Sequence, residues 1–180
     1  MTIFAAEAAA ATSTLAEQVA IALARGTVVV LGQSAVAVSG GADTNENILA
    51  TITVPAGAMQ EDGRIRITCS FTVNNNGNAK TVRVRFSGIG GTIYKSASLT
   101  LVLSAKFVVE IQNRNSEASQ VGSASAASTH SGLEPSTAAL VTSAVDTSVA
   151  TTIVITAQKA VAGDTMTLES YLVELFPRDN

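Results

Sequence analysis

The chain has 180 residues, of which 47% are hydrophobic and only 14% charged, with a formal net charge of −3. That balance argues against nonspecific nucleic-acid binding, which needs a basic footprint, and no apolar run reaches the ~18 residues of a membrane-spanning helix. A single cysteine (Cys69) excludes an internal disulfide, and a single histidine (His130) cannot build a zinc site.

Residues 5–24 read as a helix, because alanine dominates and Phe4, Ala8, Ala11, Leu15, Val19 and Ala22 recur at spacings of three and four. Gly26 after Arg25 supplies the stop. Thr12-Ser13-Thr14 either weakens the middle or caps a shorter helix. The stripe is narrow, so the helix needs a partner, either its own body or copies of itself. Ala22-Leu23-Ala24 looks like a cleavage site, but no Lys or Arg precedes Arg25 and Glu7, Glu17 and Gln18 interrupt the stretch, which argues against a signal peptide. Residues 1–26 therefore form a helical arm, and 27–180 a β domain.

After Gly26 the period becomes two. Thr27 to Leu31, Ser34 to Ser39 and Ile48 to Val54 read as strands, separated by a polar loop over Gly40 to Asn47. Residues 64–74 place Ile65, Ile67, Cys69, Phe71 and Val73 on one face and Arg64, Arg66, Thr68, Ser70 and Thr72 on the other. Residues 79–87 do the same with Val82, Val84 and Phe86 against Thr81, Arg83 and Arg85. The Asn75-Asn76-Gly77-Asn78 link predicts a tight hairpin, with Phe71 opposite Val82 and Cys69 opposite Val84. Thr92 to Tyr94, Leu99 to Leu103 and Lys106 to Asn113 follow. Residues 114–137 are a low-complexity loop with a short strand at Gln120-Val121. Ala138 to Ala144, Thr151 to Ala157 and Thr165 to Leu175 complete the body, with a bulge or two-sided burial expected at Leu172-Val173. Eight to ten short strands imply an all-β sandwich or barrel.

Reactive groups do not converge. Cys69 alternates with Ile67 and Phe71, as a buried, inert thiol does. His130 sits in the Ser-rich loop, no G-x-S-x-G element is present, and Glu61, Asp62, Asp43 and Glu46 read as turn-solubilising acids. No cofactor or metal is implied, and the chain reads as a non-enzyme. The hairpin would gather Arg64, Arg66, Arg83 and Arg85 on one face. That face is either solvated, an ionic seam with Glu110, Glu169 or Glu174 of another strand or subunit, or an anion site. Low charge with a positive mean hydropathy of +0.34 points to a surface covered by neighbours. The interface residues so indicated are Arg64, Arg66, Arg83 and Arg85, with Phe4, Leu15 and Val19 of the arm.

Several blocks resemble a family of small tailed-bacteriophage virion proteins: Ile48 to Gly57, Gly63 to Thr68, Asn78 to Phe86 and Thr165 to Leu175. The resemblance spans about residues 45–176 and does not include the Ala-rich leader. It implies a jelly-roll-like antiparallel β-sandwich, a homo-oligomer (a trimer), and a place in a virion assembled in the host cytoplasm. On that basis the chain is expected to decorate or cement a capsid by binding the major capsid protein or other virion proteins, and its charge and apolar run lengths imply neither nucleic acid nor membrane as a partner. A receptor-binding fibre tip reading host glycan through loop 114–137 is the alternative, and an enzyme acting on cell-wall sugar is a third reading.

Overall fold

The computed structural model describes residues 14–123 and 138–177. Helix α1 (Leu15–Arg25) precedes eleven strands: β1 (Val29–Ser34), β2 (Val38–Ser39), β3 (Asn47–Val54), β4 (Arg64–Val73), β5 (Lys80–Phe86), β6 (Thr92–Leu99), β7 (Ser104–Asn113), β8 (Gln120–Gly122), β9 (Val141–Ser143), β10 (Thr151–Lys159) and β11 (Met166–Phe176). They form two antiparallel sheets. The larger runs β1-β11-β4-β7-β8-β9, with β2 also on β11; the smaller runs β3-β10-β5-β6.

With the short strands β2, β8 and β9 set aside, a simple rule remains. The first strand pairs with the last (β1 with β11), the second with the second-to-last (β3 with β10), then β4 with β7, and β5 with β6 at the middle. The chain is thus one antiparallel ribbon folded at its midpoint and rolled, which is jelly-roll topology.

This overturns the tight hairpin expected between β4 and β5. β4 pairs with β11 and β7, β5 pairs with β10 and β6, and the Asn75 to Asn78 link crosses between sheets. An Asn-Gly hairpin turn of type I′ needs positive φ at both central residues, and neither Asn76 nor Gly77 has it. The facing of β4 and β5 is nevertheless as read. Ile65, Ile67, Cys69, Phe71 and Val73 are buried, as are Val82, Val84 and Phe86, with outward positions partly exposed. These rows meet Val109, Ile111, Ile153, Ile155, Val173 and Leu175 in a single core. Burial pushes the Cys69 thiol up to about 12, so it stays protonated and inert at neutral pH.

The phase break in β11 is displaced from its expected position. Buried residues switch from Met166 and Leu168 to Val173 and Leu175, and the register on β4 slips between Leu168 and Ser170, at Glu169. The bulge therefore lies upstream of Leu172-Val173. Leu99 to Leu103 is not a strand: β6 ends at Leu99, and Leu101 adopts a left-handed φ of 57°. Its N–H donates to the Asn76 carbonyl, which ties this loop to the inter-sheet link.

Helix α1 begins at a capping box. The Thr14 N–H donates to Glu17 Oε2 at 2.7 Å, and the Glu17 N–H donates to Thr14 Oγ1 at 3.3 Å. Gly26, with φ of 62°, ends it. Val19 is buried against the body and Leu15 lies over the core, so both arm residues contact their own chain. Phe4 and the expected helical residues 5–13 lie outside the described residues. The expected strand at Gln120-Val121 exists as β8 and extends the larger sheet with β9. Buried Gln120 holds it there, donating from Nε2 to Asn113 Oδ1 and the Val145 carbonyl, each at 2.9 Å.

Candidate assembly surface

Each sheet has one face on the core and one face outward, and the two outward faces are built differently. On the larger sheet, the register sets three rows across β11, β4 and β7: Glu174, Arg66 and Glu110; then Leu172, Thr68 and Val108; then Ser170, Ser70 and Lys106. Val30 on edge strand β1 stands beside Glu174. Val28, Val30 and Val108 are exposed at 49%, 44% and 39%, against the rule that outward strand positions facing water are polar. At one margin the β1–β2 connection overhangs the sheet, with Val36 74% exposed, and encloses a groove of about 670 Å³ lined also by Ser34, Thr68, Ser70, Lys106 and Tyr171.

The arginines of this face are loosely tied. Arg66 donates from Nε to Glu110 Oε1 at 2.8 Å, while Arg64 reaches Glu110 Oε2 only at 3.7 Å. Both guanidinium groups lie over the Phe176 ring, 5.1 and 5.0 Å from its centre. Their side chains keep 39% and 38% of their surface exposed.

On the smaller sheet, loop 40–47 folds back across β10 and β5 and sets Glu46 between two arginines. Arg85 grips it in a bidentate pair, Nε to Oε1 and Nη2 to Oε2, each at 2.8 Å. Arg83 Nη1 lies 3.2 Å from Oε2, and the Thr156 hydroxyl donates to Oε1 at 2.5 Å. Burial works to raise the Glu46 carboxyl, but the hydrogen bonds from Arg85 and Thr156 and the two arginine charges outweigh it and hold it below the ordinary carboxylate range. The clamp covers the sheet beneath. Val154 and Thr156 point outward from β10 yet are only 2% and 0% exposed.

The four arginines therefore do not share a face. Arg64 and Arg66 lie outside one sheet, Arg83 and Arg85 outside the other, because β4 and β5 belong to different layers. Of the expected acidic partners, Glu110 pairs with Arg64 and Arg66, and Glu169 instead accepts a hydrogen bond from Thr72. Glu46, read from sequence as a turn acid, is the partner of Arg83 and Arg85. His130 and most of loop 114–137 lie outside the described residues.

Sequence reasoning also missed a polar hub beneath the inter-sheet link. Asn74 and Asn76 donate from Nδ2 to Asp164 Oδ1 at 2.8 and 2.7 Å, and Asn78 does so at 3.4 Å. Those hydrogen bonds, from Asn74 and then Asn76, hold the Asp164 carboxyl below its usual range. Two buried lysines complete the hub. Lys80 Nζ donates to Asn76 Oδ1 and the Asn78 carbonyl at 2.7 Å, and Lys159 Nζ to the carbonyls of Gly41 and Asp164 at 2.6 and 2.9 Å. The only signal was the run of asparagines at 74, 76 and 78, of which the hairpin reading puts Asn74 at a strand end and Asn76 and Asn78 in the turn. Asn76 Oδ1 accepts from Lys80 Nζ and the Asn78 N–H and Asn74 Oδ1 from the Thr165 N–H, so the hub ties the inter-sheet link to the β10–β11 turn, with Asp164 Oδ2 buried and unpartnered. Among the described residues, no three His, Cys, Asp or Glu side chains could hold a metal ion together, and no helix is long and apolar enough to cross a membrane.

No protein-family model matches the chain, and no curated protein matches it. Solved structures similar to it include the Bacillus endospore appendages described as a family of disulfide-linked pili: 15% identity, TM-score 0.40, covering 83% of this chain and 88% of that one. The Gx strain of infectious bursal disease virus is similar at 12% identity and TM-score 0.37 over 82% of this chain and 30% of that one. Its Gt strain gives 10% and 0.34 over 83% and 32%. Scores this low transfer no role to the present chain.

Proposed function

We propose that this chain is a structural subunit that works by binding copies of itself and a surface beneath it, as a decoration or cement element of a tailed-phage virion, and that it is not an enzyme. The observation that carries this reading is the outward face of the larger sheet. It exposes Val30 and Val108 beside Arg64 and Arg66, on a sandwich whose other outward face is covered over β10 and β5 by its own loop. Exposed apolar side chains gathered with charged ones on one sheet face mark an interaction surface. The virion assignment, with the major capsid protein as partner and assembly in the host cytoplasm, rests on the sequence blocks at 48–57, 63–68, 78–86 and 165–175.

Light scattering on the full chain tests the first part. An oligomer at micromolar concentration is expected, and a monomer across the range would overturn it. Addition of the chain to undecorated phage shells, followed by electron microscopy, tests the second: regular extra density on the shell is expected, and its absence under saturating conditions would remove the decoration role.

A further inference from the structure

We infer that a second copy of this chain docks on the outward face of the larger sheet, face to face, about a two-fold axis that crosses the strands at the Leu172–Thr68–Val108 row. The inference rests on the self-associating reading above and adds the surface and its symmetry.

The argument starts from register. The three rows across β11, β4 and β7 are fixed by strand pairing. A two-fold axis lying in the plane of contact and running across the strands keeps each strand over its own counterpart and reverses the order of the rows. The middle row then meets itself, so Leu172 and Val108 pack on Leu172 and Val108 of the second copy. The row holding Lys106 meets the row holding Glu110. Both residues are on β7, so each lysine faces the other copy's glutamate. Glu169, near the far end of β11, moves toward the other copy's Arg64. The overhang bearing Val36 moves toward the other copy's Val30, so two exposed valines on the same margin cover each other. The face also carries Arg64, Arg66 and Lys106 against Glu110, Glu169 and Glu174, three charges of each sign, so it is neutral and self-complementary, as an isologous contact requires.

The size is adequate. Four strands at about 4.8 Å spacing and about ten residues at 3.3 Å rise give a face of roughly 600 Å² per copy. Twice that is about 1,200 Å², the lower bound of a stable, specific interface. The smaller sheet offers less, because loop 40–47 and the Glu46 clamp cover β10 and β5 and leave the outward positions of β3, Ile48 and Thr51 among them, exposed. The contact differs from the three-fold arrangement that the sequence resemblance implies.

The test is light scattering and sedimentation of the full chain with three substitutions, each checked for folding by far-ultraviolet spectrum and thermal melt. Val108→Arg places two like charges against each other on the axis and is expected to weaken association at least roughly tenfold. Lys106→Glu, at an exposed position, is expected to weaken it in the same direction, while Lys106→Arg leaves it unchanged. Thr51→Arg, exposed on the smaller sheet, is the control and is expected to have no effect. An even-numbered oligomer that dissociates with Val108→Arg and Lys106→Glu supports the inference. An oligomer indifferent to both, or one that dissociates equally with Thr51→Arg, overturns the inference and leaves self-association standing. A wild-type monomer overturns both.

Discussion

The outward faces of the two sheets start from the same sequence device, a pair of arginines on alternate positions of a strand, and reach opposite ends. Arg83 and Arg85 are pinned by an acid delivered from a loop, with side chains 19% and 14% exposed. Arg64 and Arg66 share one acid from a neighbouring strand and remain more than a third exposed. The strand pattern is therefore not what decides whether a sheet face is closed. A loop that crosses the face decides it, by burying Val154 and Thr156 under a charge cluster. On the larger sheet the β1–β2 connection overhangs only a groove over Thr68, Ser70, Lys106 and Leu172, it pins no arginine there, and Val30 and Val108 stay exposed.

The largest effect separating the faces is expected at Glu46. Glu46→Ala removes the shared acid, leaves two part-buried guanidinium groups facing each other and uncovers β10, at a cost of about 2–3 kcal/mol in urea unfolding. A loss below 0.5 kcal/mol would mean that the clamp is ornamental. Acid should reveal the same asymmetry. The Glu46 carboxyl is depressed in the folded state, so its contribution is fully present above the unfolded value near 4.5 and disappears as pH falls through the folded one. Thermal melts of wild type should therefore fall with acid below about pH 4.5, and Glu46→Gln should show a shallower fall across that window; parallel curves would refute the assignment. Glu110→Ala on the open face is a change to an exposed pair and should cost less than about 1 kcal/mol in the isolated chain. A cost equal to that of Glu46→Ala would erase the distinction between the faces. Val30→Thr should shift unfolding by less than about 0.5 kcal/mol, because the residue is half exposed and has little to lose within its own chain. Together with the association measurements, this small value would identify Val30 as a contact residue and not a stabilising one.

Much of the fold was legible in the chain. Alternation in 64–74 and 79–87 identified the core rows correctly, because a strand with one buried face has no other way to satisfy its side chains. Which strands pair was not legible. The Asn-Gly signal is a local preference, and it lost to a non-local arrangement in which Asn74, Asn76 and Asn78 serve Asp164, some ninety residues away in sequence. The Glu46 clamp was hidden for the same reason, since its arginine lies 39 residues on and across a loop. The bulge was sensed as a phase conflict near Leu172 but belongs to Glu169, because a period-two pattern shows that a slip has occurred more clearly than where. Glu110 was within reach of sequence reasoning because it lies on an adjacent strand and the same side as Arg66.

The rolled ribbon has a consequence for how the molecule is made. Strand β11 lies between β1 and β4, so the larger sheet has an empty slot until β11 itself has left the ribosome. Until then β1 and the β11 side of β4 expose unpaired backbone, a state prone to capture by neighbouring nascent chains. Folding of this domain must wait for β11 and then close its most distant pairing, β1 with β11, which makes it slow for its size. A cell producing many copies at once would gain from keeping these chains apart until β11 has inserted, and the order of events, insertion first and docking second, follows from where that strand sits.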